Sequence, residues 1–131
     1  MTLEEALHAR WAASEALDTL LAADRLSTGP SHAARPYAVL SRGPTRTLLR
    51  TNAGDALDEV DVSFHIWHDD HAAAGAIVQQ LKAAFDRSAW DLGDGRRVLR
   101  MLRTGETVVA CADGAWEFVV AFSLRVHLPQ G

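Results

Sequence analysis

The chain has 131 residues, 48% hydrophobic and 23% charged, with 17 acidic against 13 basic side chains and a formal net charge of −4. That length and composition supply one domain with one core and exclude global disorder, while the acidic balance counts against a protein whose main task is to hold nucleic acid. The single cysteine, Cys111, excludes an intrachain disulfide and a Cys-based zinc site.

In chain order, Thr2 followed by Glu5 has the form of a capping box, and Glu4 and Glu5 suit the positive end of a helix dipole. Leu3, Ala6, Leu7, Trp11, Ser14, Leu17, Leu20 and Leu21 recur at helical spacing, which predicts one helix to about Ala23. This start lacks the basic and apolar stretches of a signal peptide, and no run of about 18 apolar residues follows, so the expected setting is the cytoplasm or a particle assembled there, without membrane contact. Ser27-Thr28-Gly29-Pro30-Ser31 reads as a loop.

Pro36-Tyr37-Ala38-Val39-Leu40 reads as a short strand that Arg42-Gly43-Pro44 breaks, and Thr45 to Thr51 as a second strand ended by Asn52-Ala53-Gly54-Asp55. From Leu57 to Trp67, Val60, Val62, Phe64 and Ile66 alternate with Asp61, Ser63, His65 and Trp67, the pattern of a strand with one buried face. Asp69-Asp70 offers a cap for a helix from Ala72 to Phe85, whose apolar stripe is Ala73 or Ala74, Ile77, Val78, Leu81 and Phe85.

Trp90 and Leu92 then lead into a Gly93-Asp94-Gly95 turn, Val98 to Arg103 forms a strand, and Thr107 to Ala112 forms or continues one. Asp113-Gly114, between apolar runs, is a hairpin signal joining it to a last strand, Ala115 to His127. Both faces of that strand are apolar in the middle, which places it centrally in its sheet. The sum is a single α+β domain over residues 1–131: a mainly antiparallel sheet with two helices packed on one face.

Chemistry is scarce. His65, His68 and His71, with Asp69 and Asp70, put three imidazoles and two carboxylates within seven residues, and histidine is a common metal ligand. The chain changes direction inside the cluster, however, so convergence would be accidental, and the ordinary reading is a polar turn with an aspartate cap. A metal-binding module or hydrolase built on these histidines is the alternative to a structural role. There is no nucleophile elbow, no phosphate loop, and no carboxylate isolated in an apolar setting; Cys111 sits in the apolar run Val108 to Cys111 and reads as a small hydrophobe. No catalytic residue and no cofactor is expected. Arg42, Arg46 and Arg50, and later Arg96, Arg97, Arg100 and Arg103, are either solvated faces or contacts to an acidic partner or to DNA in a ring lumen.

Val62 to Trp67, a short polar turn and the Ala-rich helix to Phe85, then Trp90-Asp91-Leu92, Gly95-Arg96-Arg97-Val98 and the strand pair around Asp113-Gly114, resemble the tail completion family of tailed phages and gene transfer agents. The amphipathic start and Pro36 to Leu40 extend the resemblance over nearly the whole chain. It implies a tail terminator: an α+β subunit that forms a hexameric ring on the head-proximal end of the tail tube, stops its polymerisation and presents a surface to the head–tail connector protein. It implies no catalytic residues. The expected partners are copies of the chain, the tail tube protein and the connector, with DNA passing transiently through the lumen; a connector adaptor one layer higher is the variant reading. The polar stretch Ser41 to Asp58 is an extended hairpin or arm, and the contact residues expected are Arg46, Leu48, Arg50 and Trp67.

Overall fold

The computed structural model describes residues 1–30 and 34–129. Its elements are α1 (Leu3–Ala13), α2 (Glu15–Leu20), β1 (Leu26–Thr28), β2 (Tyr37–Arg50), β3 (Ala56–His68), α3 (His71–Phe85), β4 (Ser88–Gly93), β5 (Arg96–Ala110) and β6 (Trp116–Leu128). The six strands form one sheet in the order β1-β2-β3-β6-β5-β4, antiparallel throughout except where β1 lies parallel to β2. The expected α+β class and the central position of the last strand both hold.

The core is built on the alternation in β3 and β6. Val60, Val62, Phe64 and Ile66 of β3, with Phe118, Val120, Phe122, Leu124 and Val126 of β6, are buried on the face that the helices cover. From α3, Ala74, Ile77, Val78, Leu81 and Phe85 pack down on them. Phe64 is the hub: its ring lies 5.8 Å from Trp11, 5.2 Å from Phe85 and 5.9 Å, edge-on, from Phe122. Rings at such distances add to the area term. The Asp70 carboxylate accepts from the N–H groups of Ala72 at 2.9 Å and Ala73 at 3.3 Å, so of the two candidate caps Asp70 is the one used.

Three sequence expectations need correction. The first helix is two: Ser14 leaves helical geometry, its hydroxyl accepts from Leu17 N–H at 3.4 Å, and α2 folds back so that Trp11 Nε1 donates to the Leu21 carbonyl at 2.9 Å. A serine hydroxyl offers the backbone this alternative partner, and Leu20, counted in a single stripe, ends up 44% exposed. Ser27 and Thr28 belong to a strand because Leu26, Ser27 and Thr28 pair with Ala38, Val39 and Leu40; Ser31 lies outside the described residues. Arg42-Gly43-Pro44 bends β2 without breaking it. The register shifts between Arg42 and Thr45, and a side chain at Gly43 would place a Cβ 3.2 Å from that of Asp61. A bulge at an edge strand accommodates both a glycine and a proline, so the two expected strands are one. A second bulge, between Arg103 and Gly105, likewise carries β5 through as one strand.

Candidate interface

The strand residues of opposite phase form a second sheet face, which no helix covers among the described residues. Register aligns them in rows across β2, β3, β6 and β5: Tyr37, Trp67, Glu117 and Val109; then Val39, His65, Val119 and Thr107; further on Arg46, Glu59, Arg125 and Arg100. The first end is aromatic. Trp67 stacks between Tyr37, at 5.1 Å, and His65, at 5.7 Å. In the middle, Ser41, Ser63, Ala121 and Ser123 are small, and a shallow groove of about 590 Å³ opens over them. The far end is charged.

Each histidine of the sequence cluster has a separate neighbourhood. On the bare face, His65 lies between Glu117, 3.1 Å from Nδ1, and Ser41, 3.3 Å from Nε2. His68 Nδ1 accepts from the Asp70 N–H at 3.0 Å, in the turn. The His71 ring leans on Trp116 at 4.8 Å and Phe118 at 5.2 Å, at the head of α3. The structure therefore does not bring the three together, and no group of three or more ligand-type side chains is placed to hold a metal among the described residues. Cys111 is half-buried in the β5–β6 turn, where its N–H donates to the Ala115 carbonyl at 2.8 Å. No helix among the described residues is long and apolar enough to cross a membrane.

The arginines are mostly engaged within the chain. Arg42 reaches Glu4 at 3.3 Å, Arg46 pairs with Glu59, Arg96 donates to the Met1 carbonyl at 2.6 Å, Arg97 meets Asp91 at 2.7 Å, and Arg103 lies 3.5 Å from Glu106. Arg50, Arg100 and Arg125 have no acidic partner among the described residues. Arg100 and Arg125 stand directly opposite one another across β5 and β6. That juxtaposition was invisible in the sequence, because only the register brings the two together. Arg35 is a further site that sequence reading missed: Nε donates to Asp69 and Nη1 to Asp113, both at 2.8 Å, clasping two turns 44 residues apart in the chain. The Ala115 N–H and the Arg35 guanidinium hold the Asp113 carboxyl below its usual range.

Of the four expected contact residues, the structure groups three. Arg46, Leu48 and Arg50 lie on the outer half of β2, where every residue from Ser41 to Arg50 is exposed; Trp67 is half-buried at the other end of the bare face. The stretch is not a free arm, since Ala56 to Val60 of its hairpin also pair with β6. It is an edge: beyond Leu40 no strand flanks β2 on its outer side among the described residues. A matching edge exists on β5, where β4 pairs only as far as Met101. Exposed large hydrophobics mark both, with Leu48 at 45% and Leu49 at 59% on β2, and Val108 at 46% and Val109 at 44% on β5.

A family model described as "Tail completion protein gp17" matches residues 5–127. No curated protein matches the chain. Among solved structures it is similar to a chain of "Virion of native gene transfer agent (GTA) particle", with a TM-score of 0.74 at 17% identity, over 96% of this chain and 95% of that one. At that identity the likeness speaks for the fold.

Proposed function

The chain belongs to the tail completion protein gp17 family, and from that premise we propose that it is a structural, non-enzymatic subunit of a phage-type particle, a tail terminator. In this reading copies of the chain close into a ring, the expected size being a hexamer, at the head-proximal end of the tail tube. The ring stops tube polymerisation and offers its other side to the head–tail connector. Assembly takes place in the cytoplasm, and DNA passes through the lumen.

The observation that carries the reading is the bare sheet face with its two unflanked edges. A monomer that worked alone would gain nothing from ten consecutive exposed residues in a strand, and unpaired edges are ordinarily a hazard that proteins suppress. A face with small residues in the middle, aromatic rings at one end and, at the other, arginines that lack an acidic partner among the described residues suits contact with large neighbours better than binding of a small molecule. Arg46, Leu48, Arg50 and Trp67 are the contact residues in this account. The structural relative, a chain of a gene transfer agent virion, supports a place in a particle of the same type.

The test is tube assembly. Purified tail tube protein polymerised with and without this chain is measured for length by electron microscopy. Tubes that stop short in its presence and carry density at one end are the expected result. Length distributions that are indistinguishable at saturating amounts of the chain would sink the terminator role.

A further inference from the structure

The two free edges have properties in common that a shared partner explains. On β2, Pro44 offers no N–H, so the segment able to pair is Thr45–Arg50, six residues; on β5, where the Asp86 carboxylate accepts from the Arg103 N–H at 2.9 Å, it is Thr104–Ala110, seven residues. Each carries two adjacent exposed aliphatics, Leu48-Leu49 and Val108-Val109. They lie on opposite sides of the sheet, outside β3 and β6 respectively. We propose that Thr45–Arg50 of one copy pairs antiparallel with Thr104–Ala110 of the next, so that the sheet continues from subunit to subunit around the ring.

The direction follows from the topology. β2 runs antiparallel to β3, β3 to β6 and β6 to β5, so β2 and β5 run in opposite senses, and a copy repeated sideways sets its β5 antiparallel to its neighbour's β2. Because the two edges are different surfaces, the contact is head-to-tail, the kind that closes by rotation. An edge-to-edge match of like with like would give only a two-fold pair.

The stagger also follows. Thr47 aligns through Asp58 and Val126 with Val98, so the free part of β2 sits level with the part of β5 that β4 covers. Conversely, at the level of the free β5 segment, β2 is covered by β1. Copies side by side at one height cannot pair; they must slide along the strand by roughly seven ladder steps, about 23 Å at the usual rise. Each copy contributes four strands at this layer, about 19 Å of width. Strands would then be inclined by roughly 50° to the ring axis, a little beyond the 35–45° typical of closed barrels. Free segments at diagonal corners of the sheet are therefore what a closed ring of tilted sheets calls for.

This inference rests on the ring reading, and the experiment separates the two. Two variants are made, Leu48→Lys with Leu49→Lys, and Val108→Lys with Val109→Lys. All four positions are exposed, and unchanged melting confirms that both variants fold. Light scattering across a concentration series then compares wild type, each variant, and their equimolar mixture. The expected result is a closed oligomer for wild type, with association at least tenfold weaker in each variant alone, and a heterodimer in the mixture, since one partner keeps an intact β5 edge and the other an intact β2 edge. A wild-type ring that neither variant weakens overturns the edge pairing and leaves the ring standing. Variants that each self-dimerise also overturn it, because they show like-to-like contact. A wild type that forms no oligomer at any concentration, with or without tail tube protein, overturns the ring and the pairing together.

Discussion

The middle of the sheet and its two outer edges obey opposite rules. In the middle of β3 and β6, Val60 to Ile66 and Phe118 to Val126 of one phase are buried under the helices, both strands are flanked on either side, and the aromatic hub at Phe64 joins them to α1 and α3. On β2 beyond Leu40 and on β5 beyond Arg103, the same backbone conformation continues with most side chains exposed and no flanking strand among the described residues. Extended structure there is not held by a core; it is carried by one-sided pairing to a strand that is. If the edges make the contacts proposed above, stability and contact are separated in this fold: changes in the middle should cost folding, and changes at the edges should cost assembly.

The largest effect that could break this division is in the hub. Phe64→Ala removes a fully buried ring with three aromatic neighbours, and a loss of about 3–5 kcal/mol is expected from the usual cost of such truncations. Urea denaturation gives the number; a loss under about 1 kcal/mol would mean that the core is not organised around this residue. Next comes the bulge, where the edge begins. Gly43→Ala brings a Cβ to 3.2 Å from that of Asp61, and crowding of that kind costs on the order of 1 kcal/mol. Retained melting temperature in that variant would show that β2 moves freely off β3, and that the edge is less fixed than the register implies. Asp70→Ala should cost about 1 kcal/mol by removing the cap of α3, with Asp70→Ser restoring most of it.

The middle was also the legible part. Val60 to Ile66 alternate so regularly that their strand and its buried face follow from period alone, and the stripe on α3 names its own core residues. The edges were not legible, for two reasons. Gly43-Pro44 carries the same signal whether it ends a strand or bulges one, and what decides is the partner strand, which supplies Asp61 as a close neighbour. The Arg100–Arg125 pair and the diagonal placement of the free segments depend on register between strands distant in sequence, which no local pattern encodes. Of the expected contact residues, Arg46, Leu48 and Arg50 belong to the stretch that reads as a hairpin or arm, and the structure places all three on one edge. Val108 and Val109 were missed because an apolar run reads as core until the absence of a flanking strand is known.

A smaller effect probes the seam between α1 and β1. The His8 Nε2 lies 3.2 Å from the Thr28 hydroxyl, and burial lowers the pKa of its ring below the usual value. The folded state then binds a proton less readily than the unfolded one, so stability from this site is intact above the ordinary imidazole range near pH 6.5 and falls as the pH drops below it. His8→Gln should flatten the slope of melting temperature between pH 7 and pH 5 relative to wild type. An unchanged slope would show that the seam does not feel the proton.

The smallest expected effect sharpens the comparison most, because it has the opposite sign. Arg100 and Arg125 face each other across β5 and β6 with no acidic partner among the described residues, and like charges directly opposite in a sheet destabilise it by a few tenths of a kcal/mol. Arg125 also stands opposite Glu59 across β3, so the clean change is at its neighbour: Arg100→Gln should raise the stability of the isolated subunit slightly at low salt. The gain should vanish near 1 M salt, where screening acts over about 3 Å. In the ring proposed above, such a pair would face the acidic side of a neighbour or the phosphates of DNA in the lumen. If Arg100→Gln stabilises the subunit while weakening attachment of the completed tail to heads, the bare face is a contact surface as well as the edges. If it stabilises the subunit and leaves tail completion untouched, contact is confined to the edges, and the arginines on the face serve no assembly role.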